Sequence, residues 1–289
     1  MTGALQDWQA LAAATHCRVP RLPFVIDGIE AGSVAVDHLP ALQAFAPRPL
    51  RIEPTRVLLD VAPEVRDAAL AGIHQRLRAQ GLIKAWRDET YPLPDPHSLR
   101  VLARIERAAS RFWGTLTFGA HASGWVAGAD GRPAKLWIAQ RAFDKATDPG
   151  AFDNLVGGGV PADQSPFETL VREGWEEAGL AAAVMRRAQQ GRVIRLRRDI
   201  PEGLQHEWLH AYDLRLDAAE QPVNQDGEVH AFRCLPAAEA LALAAGATMT
   251  VDAALVTLDF ALRHGLLDAA DAAALAARSA GLWVAAPHA

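Results

Sequence analysis

Residues 157–180 read GGGVPADQSPFETLVREGWEEAGL, a glycine run leading into a helix whose start and stop are both written in the chain. Ser165 offers a capping hydroxyl, Pro166 sits where no amide donor is missed, and Glu168 places a carboxylate at the third helical position. Gly179 supplies a left-handed stop, so the spacing predicts a helix ending near Ala178. At 3.6 residues per turn, Glu173, Glu176 and Glu177 stand three and four apart and share one face. Like charges so placed repel by a few tenths of a kcal/mol per pair, more when desolvated, so a partner is expected. Bulk water serves many acidic helix faces. The other candidate is a hard divalent cation, Mg²⁺ or Mn²⁺, which takes oxygen ligands and retains waters that can become nucleophiles. The glycine loop before the helix, and Arg172 beside Glu173, favour the cation.

The chain around this segment has 289 residues, more than one domain usually needs, so two domains are expected. Half of it is hydrophobic and the formal net charge is -5, a balance that argues against wholesale nucleic-acid binding. Cys17 and Cys234 fit neither a disulfide framework nor a metal pair, which suits a reducing, cytoplasmic setting. The opening MTGALQDWQALAAATHC lacks the basic start and unbroken apolar core of a signal peptide, and no run approaches the roughly 18 apolar residues of a membrane span.

Val65, Ala69, Ile73 and Leu77 line one stripe of a predicted helix over 63–80, with Gly81 as its stop. After the turn formers of YPLPDPHS, Ser98 is placed to cap a second helix over LRVLARIERAASRFW. Beyond Trp113 the texture changes to strands at GTLTFGAHASGWVAG, KLWIAQRA, GRVIRLRRD, HEWLHAYDLRL and DGEVHAFRCL. Helical patterns return at AAEALALAAG, VDAALVTLDFALRHG and the alanine-rich LLDAADAAALAARSAG, the last with no function assigned.

From Gly158 to Leu180 the chain resembles the Nudix box, with Gly158, Arg172, Glu173, Glu176, Glu177, Gly179 and Leu180 in register. It departs at Gln164, where that family has a glutamate that pairs with the arginine, and at Gly174, where it has an aliphatic residue. The stretches KATDPGAFDNLVGGGV, EWLHAYDLRL and LVTLDFALRHGLL, with LPFVIDGIEAG and LIKAWRDETYPL further upstream, resemble one branch of the superfamily. That branch carries an extra N-terminal domain and includes the Nudix half of fungal thiamine pyrophosphokinases and plant enzymes that hydrolyse thiamine diphosphate and its oxidised forms. The resemblance implies an α+β chain: a small N-terminal α+β domain over 1–110, a Nudix α/β/α sandwich with a mixed sheet over 111–268, and a C-terminal helix and tail over 269–289.

It also implies roles. Glu173, Glu176 and Glu177, with the Gly158 carbonyl, would bind Mg²⁺ or Mn²⁺ bridging a small-molecule diphosphate. Arg172 would buttress the carboxylates, and a further acid from a later strand or loop, Glu207 or Glu228, would join them. Arg141 and Lys145 are placed for the diphosphate, and Trp86 for a flat cationic thiamine ring, or equally for packing between domains. Thiamine diphosphate leads the substrates, with ADP-ribose, a dinucleotide or a non-catalytic sensing role as alternatives; a homodimer is allowed, with no nucleic-acid or membrane partner. Isopentenyl diphosphate isomerase shares the fold, but neither cysteine is suitably placed for its chemistry. HEWLH at 206–210 matches a zinc-protease motif, but in a strand its histidines would lie about 13 Å apart, at roughly 3.3 Å per residue. The basic run from Arg186 to Arg198 alternates with apolar residues and reads as a solvated strand face before it reads as a phosphate grip.

Overall fold

The computed structural model describes residues 7–217 and 219–284; the first six residues of the expected N-terminal domain and residues 285–289 of the expected tail lie outside the described residues. A short helix, α1 (Gln9–Ala13), precedes strands β1 (Arg21–Ile26) and β2 (Ile29–Ala35), helix α2 (Leu39–Leu42), and strands β3 (Leu50–Glu53) and β4 (Arg56–Leu59). These strands form one sheet in the order β2-β1-β4-β3. Helix α3 (Arg66–Ala79), the hairpin β5 (Thr90–Pro94) and β6 (Val101–Glu106), and α4 (Arg107–Trp113) follow. Their apolar faces meet in one core that contains Phe24, Leu70, Ile73, Leu93, Ile105 and Trp113.

One expectation fails in this region and another holds only in part. Residues 101–106 form β6 rather than the start of a helix, because Ala103 and Ile105 pair with Leu93 and Tyr91 of β5, while Ser98 donates to Asp95 in the turn. The helix begins only at Arg107, where the Glu106 carboxylate accepts from Ala108 N. In α3 the buried stripe is Arg66, Leu70, Ile73, His74 and Leu77, and Val65 is 50% exposed. Ile73 and Leu77 are buried as expected, but in the first turns Arg66 and Leu70 replace Val65 and Ala69, with Arg66 drawn inward to Asp27 and the Leu102 carbonyl.

The second unit runs β7 (Leu116–Ala127), β8 (Pro133–Arg141), β9 (Phe152–Asp153), β10 (Val156–Gly159), α5 (Pro166–Ala178), α6 (Ala182–Met185), β11 (Gln189–Ile200), β12 (Gly203–Arg215), β13 (Val229–Pro236), α7 (Ala237–Ala245), α8 (Val251–Arg263), α9 (Ala269–Ser279) and β14 (Trp283–Val284). Its mixed sheet has the order β13-β8-β7-β12-β11-β14, with β7 and β12 parallel. The free edge of β7 is shared: β10 takes Gly119–Ala122 and β8 takes Gly124–Ala127.

Period-two alternation explains the sandwich. Leu209 and Ala211 of β12 face α7 and α8, whereas Tyr212 and Leu214 face α5 and α6. Trp8 and Leu11 join the α8 side, with Trp8 Nε1 donating to the Ala254 carbonyl, so residues 8–14 pack with this core and not with the rest of the N-terminal segment. The alanine-rich end is likewise part of the sandwich: Leu275 and Leu282 are buried in it and β14 extends the sheet beside β11. Among the described residues no helix is long and apolar enough to cross a membrane.

Candidate active site

Helix α5 begins and ends where its sequence places it. Ser165 Oγ accepts from Glu168 N at 3.2 Å, Glu168 Oε2 accepts from Ser165 N at 2.8 Å, and Gly179 closes the helix at φ 62°. Gly174 has a packing reason: a Cβ there would lie 2.5 Å from Met185 Sδ, so its absence lets α6 close on α5.

The three glycines of β10 make room for three different groups. A Cβ on Gly157 would strike the His121 ring at 2.7 Å, one on Gly158 the Glu173 carboxylate, and one on Gly159 the Tyr91 hydroxyl. The strand is thus the meeting line of β7, the acidic helix and the N-terminal hairpin.

Along α5, Arg172 holds three partners at once. Nη2 donates to Glu173 at 2.8 Å, Nη1 to Glu176 at 2.5 Å and Nε to Gln164 Oε1 at 3.2 Å. Glu177, 6% exposed, accepts from Gly157 N at 3.0 Å. Burial pushes the Glu177 carboxyl well above its usual range and Glu173 adds to the rise, while the Gly157 amide opposes it. Burial also raises Glu173, against the pull of Arg172.

Among the described residues no three His, Cys, Asp or Glu side chains are gathered closely enough to hold a metal. Glu173 and Glu176 are turned to Arg172, and Glu177 to the glycine strand. The donor set nevertheless fits a hard divalent cation: all are oxygens, the buried Glu177 and the half-buried Glu173 are both raised by lost solvation, and the Glu173 carboxylate lies against Gly158.

A cleft of about 360 Å³ opens on the other side of β10, walled by Gly158, Tyr91, Arg111, Arg141, Glu207 and Asp252 among others. Glu207 accepts from Arg111 Nη2 at 2.9 Å and from Gln205 Nε2 at 3.0 Å. Burial would raise its carboxyl, but Arg111 and Gln205 outweigh burial and leave it lowered. Gln205 also donates to Asp252 at 2.9 Å, and burial, with Glu207 nearby, raises Asp252.

Arg141 reaches the cleft but is already bonded to Asp153 at 3.0 Å and to the Thr147 carbonyl at 2.9 Å. Lys145 pairs with Glu228, which also accepts from Arg87 at 3.2 Å; the two line a smaller pocket with Glu177 and Asp153. Trp86 lies apart from both, over a depression with Asp67 and His74, under the Arg78 guanidinium at 4.6 Å.

His206 and His210 lie on β12, as the strand reading of HEWLH requires, and burial lowers each to about 4. Both cysteines are free. Sequence reasoning passed over Tyr91, Arg111, His121, Gln205 and Asp252. Asp252 carried a local signal, since it follows the helix cap Thr250; for the others the chain offers no local pattern.

An acidic helix docked on a glycine strand within a helix–sheet–helix sandwich fits the arrangement that the resemblance implies, and residues 117–253 match the NUDIX domain family. Residues 3–117 match a domain of unknown function, DUF4743. The chain therefore carries a Nudix domain with a DUF4743 domain before it. Nudix hydrolase 20, chloroplastic, of Arabidopsis thaliana is 37% identical over 208 residues, 71% of this chain and 54% of the relative. Nudix hydrolase 24, chloroplastic, of the same plant is 36% identical over 206 residues, 71% of this chain and 56% of the relative. The chain spans about half the length of these curated relatives. A crystal structure from Deinococcus radiodurans, DR0079, aligns with a TM-score of 0.45 at 24% identity, covering 60% of this chain and 99% of that one.

Proposed function

We propose that this protein hydrolyses a small-molecule diphosphate with the help of Mg²⁺ or Mn²⁺. The observation that carries the reading is the placement of Glu173, Glu176 and Glu177 within one turn of α5, with Glu177 buried and Glu173 half-buried, beside the glycine strand that lines the cleft. A divalent ion held by these carboxylates would neutralise phosphate charge and lower the pKa of a bound water. The chain's own groups have separate tasks. Glu177 fixes the register of α5 against β10 through the Gly157 amide, and Arg172 orients Glu173 and Glu176. Of the two extra acids, Glu207, held ionised by Arg111, lines the cleft beside Gly158, whereas Glu228, tied to Lys145 and Arg87, lines the smaller pocket with Glu177.

For the organic part, thiamine diphosphate or an oxidised analogue leads, on the resemblance alone. Trp86 lends it no support from its separate depression, and ADP-ribose or a dinucleotide remains the alternative. A second reading, a ligand-sensing domain without turnover, is favoured by Gln164, which offers Arg172 an uncharged acceptor and leaves it on the metal-face acids. Two free cysteines suit a reducing compartment such as the cytoplasm, and the two plant relatives are named as chloroplastic.

The test is incubation with Mg²⁺ and a panel of these diphosphates, measuring released phosphate and nucleotide beside binding. Turnover of one member establishes the hydrolase and its substrate. Tight binding without turnover across the panel gives the site to the sensor.

A further inference from the structure

The cleft has a wall that the acidic helix does not supply. Tyr91 of β5 and Arg107 and Arg111 of α4 reach it, and all three lie within the segment matched to the domain of unknown function. Tyr91 is 3% exposed, and its hydroxyl, set against Gly159, has no hydrogen-bond partner among the described residues. Arg111 commits Nη2 to Glu207, while its enclosed Nη1 has no partner among the described residues. Arg107 lies 5.7 Å over the Tyr91 ring and bonds Glu89 through Nη1.

A buried donor without an acceptor carries its full desolvation penalty, and such groups are rare enough to need a reason. Two on one cleft wall mark the place of an acceptor that the free protein lacks. Burial pushes the Tyr91 phenol up to about 12, so it stays a neutral donor. The guanidinium fork matches phosphate oxygens in geometry and cannot lose its charge.

We propose that Tyr91, Arg107 and Arg111 form a subsite for a phosphoryl group, so that the N-terminal segment grips the anion across the glycine strand from the acidic helix. The subsite rests on the reading of this cleft as a diphosphate site. It assigns the domain of unknown function a share in ligand recognition. The plainer role for Tyr91 is to fill the space that Gly159 leaves.

Calorimetric titration of inorganic pyrophosphate in Mg²⁺ buffer, on wild type and on Tyr91→Phe, Arg107→Met and Arg111→Lys, separates the two roles. Tyr91→Phe weakens pyrophosphate binding about 3- to 10-fold, the loss of one hydrogen bond, and raises the melting temperature of the ligand-free protein. Arg111→Lys weakens it about 10-fold or more, since a point charge cannot serve Glu207 and a phosphate together. The KM of any hydrolysed diphosphate rises in step. Wild-type affinity in both Tyr91→Phe and Arg107→Met, with only the melting temperature moved, overturns the subsite and leaves Tyr91 as packing. A wild type that binds no pyrophosphate overturns it as well. If wild type binds pyrophosphate through these residues yet hydrolyses nothing, the subsite stands and the hydrolase reading falls; turnover with unweakened variants keeps the hydrolase and removes the subsite.

Discussion

Gln164 Oε1 accepts a hydrogen bond from Arg172 Nε at 3.2 Å, at the position where the Nudix box has a carboxylate. A neutral acceptor competes weakly for a guanidinium, so Arg172 also clasps Glu173 and Glu176. The same arginine that orders the acidic face therefore holds two of its carboxylates away from a shared ion.

Gln164→Glu is expected to draw Arg172 toward position 164 and release those acids. The half-saturating Mg²⁺ concentration for activity or for stabilisation should fall. The stability gain stays below about 1 kcal/mol because the Arg172 side chain is 36% exposed and its pairs are screened. An unchanged Mg²⁺ requirement would remove Arg172 competition from the account.

Glu177→Gln keeps an acceptor for the Gly157 amide but removes a buried charge. Turnover should drop at least about 100-fold, a loss of some 2.7 kcal/mol of transition-state stabilisation. The metal-free protein should melt higher, because the carboxylate is desolvated in the fold. Steady-state kinetics and thermal melts on one preparation check both, and full turnover in the variant would end the metal assignment.

Gly158→Ala would place a methyl group on the Glu173 carboxylate. Overpacking of this kind costs about 1–3 kcal/mol, so the variant should fold while losing activity and Mg²⁺ affinity together. A crystal structure would show Glu173 displaced. Activity at the wild-type level would mean that the carboxylate has no fixed place against β10.

His74 is buried in the N-terminal core, where its Nε2 accepts from Trp113 Nε1 at 2.8 Å, and burial lowers its pKa from 6.5 to about 3. Between those values the unfolded chain binds the proton and the folded chain does not, so stability falls as pH falls from 6.5 toward 3. The slope for this one residue is at most about 1.4 kcal/mol per pH unit. Denaturant midpoints taken between pH 7.5 and 5 should decline with acid, and less steeply in His74→Gln. Equal slopes for the two proteins would show that His74 is not buried in its neutral form.

Helix α5 is legible in the amino-acid order because its caps, its proline and its terminal glycine act within a few residues of themselves. The same is true of β12, whose alternation makes HEWLH a strand and dissolves the zinc-protease motif. Residues 99–106 are not legible. Their apolar spacing suits a helix, but β5 supplies a partner that outweighs it.

The sequence by itself determined the acidic face, the glycine run before it, the strand texture of the second unit and the Nudix resemblance, since all depend on neighbours in the chain and on backbone geometry. Only the tertiary structure decided that Arg172 clasps two of the three acids, that Glu207 and not Glu228 faces the cleft, that Trp86 stands apart, and that Tyr91 and Arg111 enter from another segment. Those outcomes depend on which distant surfaces pack together. Burial, by stripping water from a carboxylate or a phenol, then sets the chemistry that no local pattern encodes.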